Sequence, residues 1–122
     1  MTNLVATTKF DYDNLFGGNT LPSTVGSEVL AKGQKLKRGA LLGMTSDGTL
    51  KLVSKKASDG SQNVYAVLCD DTDSTDKVLP VSVYYNGEFN TKRITVTDGD
   101  KVSDFRQSAR MVGIFFKQIV GA

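Results

Sequence analysis

The chain has 122 residues, 39% hydrophobic and 23% charged, enough for one soluble globular domain whose core needs no metal or disulfide support. It contains no His, no Trp and a single Cys, which excludes Ser-His-Asp and Cys-His catalysis, an imidazole base, His-containing zinc sites and an internal disulfide. Fifteen basic against thirteen acidic residues is too even a balance for the phosphate neutralisation that dominates nucleic-acid affinity, so nucleic acid is not expected as a direct partner.

Residues 1–27 read as an extended N-terminal arm. They are rich in Thr, Asn, Ser and Gly, contain Gly17-Gly18 and Leu21-Pro22, and carry no charge from Asn14 to Ser27. Neither helical nor strand periodicity is sustained, yet Leu4, Val5, Phe10, Tyr12, Leu15 and Phe16 give the arm more large apolar residues than a purely solvated tail carries. The composition predicts that it docks, against the plainer reading of a disordered or self-packed terminus. At about 3.3 Å per extended residue the arm reaches roughly 80 Å, well beyond its own domain.

From residue 28 the texture changes to short apolar or β-branched runs bounded by Gly, Asp and Asn, which predicts a β-rich domain over residues 28–122. The expected strands are 28–31, 40–45, 50–54, 64–69, 79–85, 88–90 and 94–97. Ser46-Asp47-Gly48 reads as one hairpin turn and Asn86-Gly87 as another, because Asn-Gly tolerates positive φ. In 79–85, Leu79, Val81, Val83 and Tyr85 share one face, and Pro80 points to an edge or to the start of the strand. One helix is expected over 101–112, with Val102, Phe105, Ala109 and Val112 at helical spacing, Asp100 or Ser103 as N-cap and Gly113 as stop. Residues 114–120 follow as a strand buried on at least one face. The predicted fold is therefore mainly β with one short helix, a small antiparallel sheet or barrel-like domain behind an N-terminal arm.

Charge falls in blocks. Residues 28–56 carry seven positive and two negative charges, residues 57–90 one and six, and residues 91–122 six and three. Opposite patches on one small body favour contacts between copies or with a charged partner surface, against the plainer reading of charges solvated on loops.

No constellation reads as a catalytic or cofactor site. Asp70, Asp71, Asp73 and Asp76 cluster the oxygen ligands a hard cation wants, but a calcium loop starting at Asp71 would need an acid or amide, Gly and Glu where Thr75, Asp76 and Ser82 stand. A solvated acidic loop is expected. Ser74-Thr75-Asp76-Lys77 matches a Ser-x-x-Lys spacing without companion motifs. The basic stretch Lys32, Lys35, Lys37, Arg38, Lys51, Lys55 and Lys56 lacks the interleaved aromatics of a single-strand binding groove. Cys69, beside Asp70 and Asp71, is expected to be buried and structural. With a longest apolar run from Met111 to Phe116, far below the ~20 residues of a membrane helix, no membrane partner is expected, and the lone Cys without a basic-then-apolar leader points to synthesis in a reducing cytoplasm.

Three segments in order resemble the head decoration proteins of lambda-type tailed bacteriophages: Leu36-Lys37-Arg38-Gly39-Ala40-Leu41-Leu42-Gly43; the stretch from Val64 through the acidic loop to Asn86-Gly87-Glu88-Phe89-Asn90; and Phe105-Arg106-Gln107-Ser108-Ala109-Arg110-Met111-Val112-Gly113-Ile114-Phe115, with its Arg-x-x-Gly-Ile ending. The resemblance implies a non-enzymatic virion protein, a homotrimer on the outer capsid surface at threefold positions, partnered by the major capsid protein and stabilising the expanded head. It also implies that residues 1–27 engage the capsid, with Leu4, Val5, Phe10, Tyr12, Leu15 and Phe16 as candidate contacts. The alternatives are another phage structural β module, of a tail or fibre, and a small enzyme without a recognisable site.

Overall fold

Apolar side chains lie on both sides of the central strands, and this two-sidedness sets the architecture. In the computed structural model, which describes residues 15–17 and 23–118, five strands close a small barrel: β1 (Val25–Leu30), β3 (Leu41–Met44), β4 (Leu50–Leu52), β5 (Ala66–Leu68) and β7 (Leu79–Tyr84), in the order β1-β4-β3-β5-β7. Neighbours are antiparallel except β1 and β4, which meet in parallel at the single pair Leu30 and Leu50. Outside the barrel, β2 (Lys35–Leu36) and β6 (Thr72–Asp73) form a short antiparallel ribbon, while β8 (Gly87–Asn90) and β9 (Ile114–Lys117) pair in parallel. Between β8 and β9 run 3₁₀ turns at Thr91–Arg93 and Val102–Phe105 and the helix α1 (Arg106–Met111). The expected class, mainly β with one short helix and a barrel-like arrangement, is the one observed.

The strand period of two divides each run between two cores. Leu42, Ala66, Leu68, Val81 and Val83 fill the barrel interior with Leu30 and Leu50. Their immediate neighbours Leu41 and Val67 point the other way, into a second core built with Val53, Phe89, Phe105, Ala109, Ile114 and Phe116, against which Tyr84 packs. β7 buries Val81 and Val83 inward and leaves Pro80 and Ser82 exposed, so the wall buried on both faces is β3-β5. Its near-continuous apolar runs are the sequence trace of that position.

The β3–β4 hairpin forms where expected. Thr45 N–H donates to the Thr49 carbonyl at 2.8 Å, and Gly48 takes φ 90°. The Asp47 carboxylate accepts from the Thr45 hydroxyl and from the Thr49 N–H and hydroxyl, bonds that hold its pKa down at about 2. Helix capping differs from expectation: neither Asp100 nor Ser103 caps. Asp104 reaches back to accept from Lys101 N–H at 2.8 Å, and Asp100 accepts from Lys55 N–H at 2.9 Å. The first turn, Val102–Phe105, is 3₁₀ rather than α, and Val112, expected on the buried face, is exposed past the helix end.

Three further expectations are corrected. Asn86-Gly87 does not join a hairpin: both edges of β7 are already taken by β1 and β5, so the chain leaves the barrel and β8 pairs with β9 instead. Residues 94–97 are not a strand. The Asn90 side chain accepts from Lys92 N–H and turns the chain, which then meets Ala40, just before β3, at an isolated bridge with Thr95 and drops Ile94 into the second core. The last strand is described as Ile114–Lys117, and the rest of the expected 114–120 run beyond Gln118 lies outside the described residues. The first barrel strand begins at Val25, three residues before the change of texture in the sequence.

Gly43 shows how tightly the β3–β4 hairpin packs on the following loop. A Cβ there would sit 2.6 Å from the Asn63 carbonyl oxygen and 2.7 Å from Ser61 Cα and O, all backbone atoms. Gly43→Ala is expected to destabilise the domain by about 1–3 kcal/mol through overpacking, read as a lowered urea midpoint at unchanged slope. Phe105, 2% exposed, joins the helix to the second core, and Phe105→Ala should cost about 3–5 kcal/mol in the same measurement. A loss below roughly 1 kcal/mol would show that this face of the helix does not hold the core together.

Candidate interaction site

The sequence places its candidate contacts in the N-terminal stretch, and the structure describes two of the six. Leu4, Val5, Phe10 and Tyr12 lie outside the described residues. Leu15 and Phe16 are built into the fold. Leu15 is 1% exposed in the second core, and its carbonyl accepts from Asn90 N–H. Gly17 N–H donates to the Glu88 carbonyl at 2.8 Å, so Phe16 bridges Phe89 in antiparallel fashion and residues 15–17 lie along β8.

Aromatic packing fixes this junction. The Phe16 ring stacks on Phe89 at 5.1 Å and meets Tyr84 edge-on at 5.0 Å. Arg38 closes it from outside, its guanidinium 5.6 Å from the Tyr84 ring centre and 6.0 Å from that of Phe16. The same guanidinium donates to the Tyr84 hydroxyl at 2.7 Å and to the Cys69 carbonyl at 3.1 Å. Such planar stacking with directed hydrogen bonds is a use of Arg that Lys does not reproduce. Gly39, next in sequence, takes φ 97°, and a Cβ there would lie 2.4 Å from the Arg93 carbonyl oxygen and 3.3 Å from Leu15. The sequence lists Arg38 only as one of seven basic residues. Its partners Phe16, Cys69 and Tyr84 stand up to 46 positions away, and no local pattern announces them.

The acidic loop is tied down rather than gathered around a vacant point. Asp71 accepts from Arg38 N–H at 2.9 Å. Asp73 accepts from the Thr75 hydroxyl and N–H, and these bonds lower its pKa. Ser74 is 1% exposed, its hydroxyl donating to the Ala31 carbonyl at 2.6 Å and accepting from Gln34 N–H at 3.2 Å. The serine of the Ser-x-x-Lys spacing is therefore a structural pin between the loop and the segment before β2. Among the described residues no three His, Cys, Asp or Glu side chains come together as a metal-holding group. Lys35, Leu36 and Lys37, with Asp71, Thr72 and Asp73 on the paired side of the ribbon, line one open cleft of about 410 Å³.

Cys69 is buried, as expected, and its thiol is pushed up to about 11, chiefly by burial, with the Asp70 charge adding to the shift. That is the reverse of the tuning a nucleophilic cysteine requires. Within β1, Glu28 accepts from the hydroxyls of Tyr65 and Tyr85, two rings that pack against the interior cluster. Burial and this bond raise the Tyr65 pKa, while the bond to Glu28 is the larger influence on Tyr85, pushed up to about 12. Both phenols thus stay protonated at neutral pH as donors to the Glu28 carboxylate.

No curated protein matches the chain. Residues 5–114 of the 122, from within the N-terminal stretch through α1 to the first residue of β9, match the family model of the bacteriophage lambda head decoration protein D. With that coverage the chain belongs to the bacteriophage lambda head decoration protein D family, whose members are structural proteins of the phage head.

Proposed function

We propose that this protein binds the outer surface of the phage capsid as a homotrimer at threefold positions and stabilises the expanded head. Residues 1–14 are the segment that engages the major capsid protein. The role is structural, in keeping with a family of decoration proteins rather than enzymes. The observation that carries the reading is the clamp on Leu15 and Phe16. A capsid-engaging segment transmits load only if its root is fixed, and here the root is buried in a core and braced by Tyr84, Phe89 and Arg38.

The clamp also divides the six candidate contacts by task. Leu15 and Phe16 hold the segment to the domain, while Leu4, Val5, Phe10 and Tyr12 supply apolar anchors for the shell. A segment that carries Thr2, Val5, Thr7 and Thr8 suits strand addition to an exposed sheet edge, where main-chain pairing gives affinity and alternate side chains give specificity. Ordering it costs several kcal/mol, which three arms on one trimer offset through avidity. The near-balanced charge argues against DNA as the partner. The protein is made in the host cytoplasm and ends on the outside of the virion.

Deleting residues 2–14 tests this, because it spares the clamp. The truncated protein should keep the sedimentation mass and melting temperature of the intact one, while its binding to expanded shells, measured by co-sedimentation, falls by about two orders of magnitude or more as the arm contacts are lost. Undiminished decoration would move the capsid contact onto the barrel domain.

A further inference from the structure

Asn86-Gly87, at the junction of β7 and β8, is the one Asn-Gly pair of the chain, the other five asparagines being followed by Leu, Thr or Val. An asparagine before glycine is chemically labile, because no side chain hinders the following backbone nitrogen from reaching the amide carbon. The fold demands glycine here all the same. Gly87 takes φ 140°, and a Cβ on it would lie 2.5 Å from Ser23 Oγ and 3.3 Å from the Phe89 ring. Asn86 is in use as well: its side-chain oxygen accepts from Thr24 N–H at 2.8 Å, while the Thr24 carbonyl accepts from Tyr85 N–H at 2.8 Å. The lead-in to β1 is thereby tied to the junction. Gly87 N–H in turn donates to the Gly113 carbonyl at 3.0 Å, and a Cβ on Gly113 would sit 3.3 Å from Asn86 Cβ.

Both groups that would have to react are therefore engaged, the Gly87 nitrogen with Gly113 and the Asn86 amide with Thr24. We propose that Asn86 is a site of spontaneous deamidation, closed while this double clasp holds and converted when β8 parts from β9 and from the lead-in to β1. In the open form the Gly87 nitrogen gives up its proton to solvent and attacks Asn86 Cγ. A bond from Gly87 N to Cγ forms, the bond from Cγ to Nδ2 breaks, and the nitrogen leaves as ammonia after taking a proton from solvent, which leaves a succinimide ring. Water then opens the ring, at Cγ to give aspartate or at the backbone carbonyl carbon to give isoaspartate. Aspartate keeps an oxygen for Thr24 N–H. Isoaspartate routes the main chain through Cβ, which lengthens the link between β7 and β8 and takes Gly87 out of register with Ile114, its partner in β9. The Asp-Gly pairs at Asp47, Asp59 and Asp98 close such a ring only by losing water and regain it on opening, so their mass is unchanged and they do not obscure the product. The native rate at Asn86 equals the rate of the open chain times the fraction of molecules open.

The test keeps the full chain in mildly alkaline buffer, native and in parallel in urea. The tryptic peptide of residues 78–92 is followed by mass spectrometry, with fragmentation that separates aspartate from isoaspartate. Asn90, in the same peptide but before Thr91, is the internal standard. In urea Asn86 should convert well ahead of Asn90, and in the native protein at least about tenfold more slowly than in urea. Thr24→Pro removes the N–H that holds the Asn86 oxygen, and Ile114→Val loosens β9 in the second core. Each should speed native conversion at least about twofold, leave the rate in urea unchanged and quicken hydrogen exchange at the Gly87 amide in step. Native conversion at the urea rate would overturn the clasp. Conversion in urea no faster than at Asn90 would remove the site itself, and a native rate that stays put while Gly87 exchange quickens would show that this opening does not gate it.

Discussion

The fold depends on the two-sided burial of the strands β3 and β5. Leu41 and Leu42 are neighbours in sequence yet belong to different cores, and so are Val67 and Leu68. A one-residue slip in the register of β5 would exchange Val67 with its neighbours between the barrel interior and the outer core, placing each set in a space shaped for the other. Register is therefore specified twice. The two cores also share their floor: the barrel cannot open without removing the surface on which Phe89, Phe105 and Ile114 pack. Burial of several large side chains at about 1.5–3 kcal/mol each outweighs the surface ion pairs, such as that between Lys51 and Asp59, which solvent screens.

The second core is assembled from parts far apart in the chain, and Arg38 joins them at the rim. It touches the N-terminal root through Phe16, the β7 end through Tyr84 and the β5 end through the Cys69 carbonyl. An aromatic pair contributes about 0.5–1.5 kcal/mol beyond its burial, and hydrogen bonds to a charged group exceed neutral ones. The cluster is thus strong for something so near the surface. Its physical consequence is that a pull on residues preceding Leu15 acts first on a stacked aromatic pair and the backbone bonds to β8, not on a loop.

Much of this was legible from sequence, for reasons that the structure makes plain. The strand runs around Leu41, Val67 and Val83 and the Ser46-Asp47-Gly48 turn report local physics, period and turn chemistry, and they stand where expected. So does the helix with Phe105 and Ala109 inward. What failed was decided at a distance. Asn86-Gly87 has hairpin chemistry, but the edge such a hairpin would need is occupied by β1 and β5. Residues 94–97 have strand composition, but their chain has to cross from β8 toward the helix with an isolated bridge to Ala40 beside it. The start of β1 was hidden because Val25, Ser27 and Val29 face outward and Gly26 faces in, which inverts the usual pattern of apolar inside and small polar outside. For the candidate site, the apolar residues of the N-terminal stretch were visible by composition, whereas the division of labour at Leu15 was not. It depends on Asn90 and Phe89, more than 70 residues later.

That inverted pattern in β1 has a thermodynamic meaning. The barrel interior is already filled by Leu30, Leu42, Leu50, Leu68, Val81 and Val83, with Tyr65 and Tyr85 packed against them, so Val25 and Val29 contribute nothing to either core. The same holds for Met111, past the last buried turn of α1. Residues released from folding in this way can be changed with little effect on stability, since substitutions away from buried features fall within about ±0.5 kcal/mol. Exposed valines in β1 suit its extended backbone without adding to either core. A small domain with two shared cores can leave such a face open because its own stability does not draw on it.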